Sequence, residues 1–181
     1  MKKFLALVMA VAMTMSLAAC GGGDKPAAST PADAAEFKVG AIYINSKNDT
    51  AGYTFAHHTG ITNAMKELGL DPATQLVIQD EVPEDYEQVG TAVDTLVGEG
   101  CNIIFGISFG YLDAMADKAE EYPDVVFSHG TGFKCNDTNF NNYFGRVYQA
   151  RYLAGIAAGL KSLEMGNNNV GYVAAHTTDY A

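Results

Sequence analysis

Three of the four histidines stand where they could do chemistry. His57 and His58 sit side by side at the start of a helical pattern, and His129 sits at the end of an apolar run. Paired with Asp49 or Ser108, a histidine makes an acid–base couple or activates a nucleophile. The surrounding motifs do not favour that use. GISFG (106–110) closes an apolar run with Ser108 between Ile107 and Phe109, and reads as a loop rather than a nucleophile elbow. There is no P-loop and no GxGxxG after the first apolar run. No spacing of Cys and His resembles a zinc site, and no cofactor is expected. His57 reads as a packed or capping residue, so binding without chemistry is the better expectation.

The same stretches are rich in groups that bind. Tyr53, Phe55, Phe109, Tyr111 and Phe133 offer flat faces, which suit a planar ring by offset stacking. Asn45, Ser108 and Thr131 supply amide and hydroxyl groups for ribose hydroxyls or ring nitrogens, and Asp49 and Glu81 supply carboxylates that accept from a sugar. Each aromatic taken alone is better read as a core or lid contact. Their convergence is what carries weight, and it depends on the elements that hold them.

Short apolar runs rich in β-branched residues predict strands over 39–45, 75–79, 102–107 and 125–128, with a short fifth over 143–147 and a further one over 170–174. Helical spacing predicts helices over 54–68, 84–97, 111–121 and 149–163, with Gly69 and Pro123 as stops. In the second helix Tyr86, Val89, Val93 and Leu96 fall on one face. Strands alternating with helices predict an α/β fold with a parallel sheet and helices on both faces. Ligands of such sheets bind beyond the carboxyl ends of the strands. That rule selects the loops 45–53, 80–83, 108–111 and 129–133, where the candidates above lie. Gly155 and Gly159 in the last helix predict close packing on the sheet or on a second domain.

The chain ends and composition bound the setting. Lys2 and Lys3, the apolar run 4–13 and the small residues leading to Cys20 have the form of a secretory signal, too short to span a bilayer as a stable helix of about 20 residues. Leu17-Ala18-Ala19-Cys20 resembles the lipobox of bacterial lipoproteins, which implies acylation of Cys20. Residues 21–36 hold almost no large apolar side chains and read as a disordered tether. Residues 37–168 read as one lobe, and 169–181 as the start of a second. A formal charge of −10, with 21 acidic against 11 basic residues, argues against nucleic acid as a partner. Cys101 at the start of one strand and Cys135 beyond the end of its neighbour stand roughly 20 Å apart. A disulfide needs Cα atoms within about 7 Å, so free thiols are expected.

GYTFAHHTGI (52–61), EVPEDYEQV (81–89), IIFGISFGYLDA (103–114), EYPDVVFSHGTGF (121–133) and YFGRVYQARYLAGIAAG (143–159) resemble the basic membrane protein family. These are the PnrA-like solute-binding lipoproteins of ABC importers. The resemblance implies a type I periplasmic-binding fold, of which this chain is the N-terminal half. It also implies ABC permease and ATPase partners, attachment to the outer face of the cell membrane through lipid alone, and capture of a purine nucleoside. Riboflavin, a free purine base, a pentose or a sensory role are the alternatives. By the match to the family motif the base-stacking position falls on Phe55, with Tyr53 second. Thr50 and His58 replace aspartates common in the family, so the polar pattern is not a clean copy.

Overall fold

The computed structural model describes residues 36–174. The signal, the lipobox at Cys20, the tether up to residue 35, and residues 175–181 lie outside the described residues. In chain order the elements are β1 (Val39–Tyr43), α1 (Gly52–Glu67), α2 (Pro72–Gln75), β2 (Leu76–Gln79), α3 (Tyr86–Gly98), β3 (Ile103–Ile107), a 3-10 turn (Phe109–Tyr111), α4 (Leu112–Glu121), β4 (Val126–Gly130), β5 (Phe140–Asn142) and α5 (Val147–Glu164). The strands form one parallel sheet in the order β2-β1-β3-β4-β5. Val39 stands opposite both Leu76 and Ile103, and Phe127 opposite Phe140. The order reverses at β1, so the loops leaving β1 and β3 part there and open a crevice at the carboxyl edge.

Alternation along each strand divides the core in two. On one face Ile42, Ile104, Phe127 and Phe140 pack under α3 and α4, through Val89, Val93, Leu96 and Met115. On the other, Val39, Ala41, Tyr43 and Ile107 pack under Ile61 and Met65 of α1. Helices therefore lie on both faces. The α1 face is only partly covered: Ala56, Gly60, Ala64, Phe105 and Tyr143 line an apolar recess of about 380 Å³. Among the described residues no helix is long and apolar enough to cross a membrane.

Local signals set the boundaries. The Asp71 carboxylate accepts from the Ala73 N–H ahead of Pro72, starting α2, which the periodicity did not predict. The Asp85 carboxylate accepts from the Gln88 N–H at 3.0 Å, so α3 begins at Tyr86 and not at 84. Tyr86, expected on the buried face, is half exposed, and its hydroxyl donates to Asp117 at 2.6 Å. Gly69 follows α1 at φ 78°, the left-handed geometry that ends helices at glycine.

Three further expectations are corrected. The fifth strand is at 140–142 rather than 143–147, because a turn built on Asn136 and Asn139 delivers Phe140 into the core three residues earlier. Residues 170–174 form no strand: Val173 is almost fully exposed, and a strand needs a neighbour to take its hydrogen bonds, which no described residue provides. Finally, α5 buries none of its residues, and nothing lies within 4 Å of a Cβ placed at Gly155 or Gly159, so it does not press on the sheet.

Candidate functional site

The carboxyl edge is laced together by side chains from successive loops. The Asp80 carboxylate accepts from the Lys47 N–H at 2.9 Å, and the Val82 N–H donates to the Tyr43 carbonyl at 3.0 Å, joining the loops after β1 and β2. Between them Glu81 takes φ 59°, a strained conformation for a non-glycine residue that neighbouring structure must hold. The Glu84 carboxylate reaches the loop after β3, where Oε1 accepts from the Ser108 hydroxyl at 2.5 Å and the Gly110 N–H at 2.8 Å. The Tyr53 hydroxyl donates to the Gly130 carbonyl at 2.8 Å, tying the first turn of α1 to the end of β4.

The three described histidines are all engaged in holding this edge. His57 Nδ1–H donates to the Tyr53 carbonyl one turn earlier at 2.9 Å, and His58 Nδ1 lies 3.2 Å from the Tyr43 hydroxyl. His129 is fully buried, with Nε2 2.6 Å from the Ser108 carbonyl and Nδ1 2.9 Å from Asn142 Oδ1. Nε2 must carry the proton toward a carbonyl. Nδ1 is then the acceptor, and turning the Asn142 amide lets its otherwise unpartnered Nδ2 donate to it. The letters of GISFG do satisfy G-x-S-x-G and do join a strand to a helix. The geometry is nevertheless not that of an elbow: the Ser108 hydroxyl is bonded to Glu84, and His129 addresses the Ser108 carbonyl.

Of the aromatics, Tyr53 and Phe55 are about 40% exposed and Phe133 rather more. Phe109 is half-buried, its ring 6.5 Å from that of Phe133. Tyr111 is no part of the surface. Its ring is fully buried under α3 and α4, and its hydroxyl donates to the Val82 carbonyl at 2.5 Å. Burial raises its hydroxyl pKa above the ordinary tyrosine value. Tyr53 and Phe55 are two positions apart, so they stand on opposite flanks of the buried stripe Thr54, Ile61 and Met65. Tyr53 is the anchored one. Its ring also packs on His57 at 4.3 Å, and burial raises its hydroxyl pKa, the Thr131 bond lowers it, and the nearby Glu84 charge raises it again.

Asn45 is exposed, its carbonyl accepting from the Glu81 N–H, while Asp49 is half-buried and Glu81 exposed. Ser108 is buried and Thr131 half-buried. The first turn of α1 adds donors: its N-cap, Ala51, provides no side-chain cap, and no acid lies in that turn. The leading N–H groups, with their positive dipole end, are thus open to a ligand acceptor. The edge combines an anchored aromatic face, a fixed carboxylate, hydroxyls and free N–H groups. Such a set can hold a flat, polar, neutral solute. Sequence reasoning missed Glu84 by assigning it to a helix; the signal was Asp85 with Gln88 three residues on, which starts α3 later.

The model of the family Bmp, described as ABC transporter substrate-binding protein PnrA-like, matches residues 37–180. The chain belongs to this family. It is 35% identical over 145 residues to a putative ABC transporter glucose-binding protein, TsgA13, of Haloferax volcanii, covering 80% of this chain and 34% of that protein. It is 33% identical over 123 residues to a purine-binding protein of Brucella abortus, covering 68% and 34%. The chain therefore spans about a third of the length of the curated relatives it matches. Among solved structures it is similar to an ABC solute-binding protein of Aeropyrum pernix, with TM-score 0.58, 19% identity, and coverage of 73% of this chain and 36% of that one. A solute-binding protein of Conexibacter woesei gives TM-score 0.52, 23% identity, 68% and 40% coverage. A transcriptional activator of the comK gene from Bacillus halodurans gives 0.54, 22%, 68% and 40%. At these identities the likeness is one of fold.

Proposed function

We propose that the full-length protein is the extracytoplasmic solute-binding component of an ABC importer, held to the membrane through a lipid on Cys20, and that it captures a purine nucleoside and presents it to the permease. No reaction is performed on the solute. The observation that carries the ligand class is Tyr53: an aromatic face left about 40% exposed at the carboxyl edge, yet pinned through its hydroxyl to the Gly130 carbonyl. A rigid exposed ring beside hydroxyls and a carboxylate suits a base that stacks and a ribose that donates. Phe55, on the other flank of α1, is the second face, and Asn45, Asp49, Thr131, Phe109 and Phe133 frame the crevice. The relative named as purine-binding supports this reading.

A sugar is the second reading, supported by the relative named as a putative glucose-binding protein. A thermal-shift panel on the full-length protein separates the two. A ligand that binds only the folded state adds about 4 kcal/mol at 1,000 times its Kd. Inosine, guanosine and adenosine are expected to raise Tm, and glucose and ribose to leave it unchanged. A shift with glucose alone would replace the nucleoside by a sugar.

A further inference from the structure

Glu84 ends the β2 loop two residues before α3 starts, and its side chain is exposed at the carboxyl edge. Both of its hydrogen bonds to described residues use Oε1, from the Ser108 hydroxyl and the Gly110 N–H. Among the described residues no group donates to Oε2. The seat is close-fitting: a Cβ at Gly110 would lie 2.6 Å from the Glu84 side chain, so only glycine leaves room for the carboxylate there. One oxygen is thus fixed by two donors from the loop after β3, and the other is left open at the carboxyl edge.

We propose that Glu84 is a specificity-determining residue of the crevice, whose open carboxylate oxygen accepts a hydrogen bond from an O–H or N–H of a neutral solute and excludes phosphorylated ones. The inference rests on the reading of the carboxyl edge as the solute site. A carboxylate held in place accepts a charge-assisted hydrogen bond without first being ordered. The same charge repels a phosphate brought beside it. The donor is either a hydroxyl of a sugar ring or an N–H on the edge of a purine.

The test compares wild-type full-length protein with Glu84→Gln and Ser108→Ala by calorimetric titration of inosine, inosine monophosphate, adenine and glucose. The glutamine oxygen can still accept from Ser108 and Gly110, so the loop is preserved while the charge is removed. Glu84→Gln is expected to fold with unchanged Tm, to weaken binding by about tenfold or more, and to narrow the preference for inosine over its monophosphate. A loss confined to adenine identifies an N–H donor, and one confined to glucose a hydroxyl. Equal affinities in wild type and Glu84→Gln would make Glu84 a loop brace and overturn the inference, leaving the nucleoside reading intact. Weakened binding of glucose in a protein that ignores purines would support the inference and overturn that reading. A wild-type protein that binds none of the four would remove both.

Discussion

At the scale of single residues, environment rather than type decides what each group does. His129 is the clearest case: the sequence offers it as a catalytic candidate, and burial between the Ser108 carbonyl and Asn142 makes it a strut for the β3 loop. The two cysteines differ in the same way. Cys101 is buried at the start of β3, and burial pushes its thiol up to about 11, whereas Cys135 is exposed and free. Because the thiolate is the reactive form, a polypeptide of residues 21–181 should react with a disulfide reagent at pH 8 at one thiol, Cys135. The second should appear only on denaturation. Rapid labelling of both would mean that β3 is not packed as described. Which residues are polar and aromatic at the edge was legible in the sequence. That Tyr53 is pinned and Tyr111 buried was not, because both depend on carbonyls, Gly130 and Val82, brought close only by folding.

At the scale of elements, strands and helices were legible wherever apolar periodicity marks them, as for β1, β3, α1 and α4. Misplacements occurred where side-chain hydrogen bonds set the boundary. Asp85 moved the start of α3, and the turn at Asn136 moved β5. Asn139 is the other hidden determinant. It is buried, and its Nδ2 faces the carbonyls of Ala119, Tyr122 and Val125 at 2.8–3.1 Å, gathering the end of α4 and the turn into β4. Asn139→Ala should remove the donor shared by these carbonyls, of which that of Tyr122 keeps the Val125 N–H, and destabilise the protein by about 3 kcal/mol, read as a fall in denaturation midpoint. Asp85→Ala, which removes a surface cap, should cost about 1 kcal/mol. Equal effects would show that Asn139 is not the linchpin its bonds indicate.

At the scale of the whole molecule, the described residues divide into a well-packed sheet and a helix, α5, none of whose residues is buried. Tyr152, Leu153, Leu160 and Leu163 of α5 are all largely exposed. A lone helix of this length is marginal in water. In a polypeptide of these residues the amides of α5 should therefore exchange hydrogen far faster than those of β1 and β3, while in the full-length protein they should be protected. Slow exchange in the shorter polypeptide would mean that α5 does find a seat on the lobe. The central claim concerns the opposite end of the sheet, where Tyr53 offers its face. Its most direct test is calorimetric titration of the full-length protein with a purine nucleoside, in wild type, Tyr53→Ala and Phe55→Ala. Loss of a stacked base costs about 1–3 kcal/mol, so Tyr53→Ala should weaken binding by about tenfold or more, with a smaller loss in Phe55→Ala. Undiminished affinity in Tyr53→Ala would contradict the placement of the solute on that face.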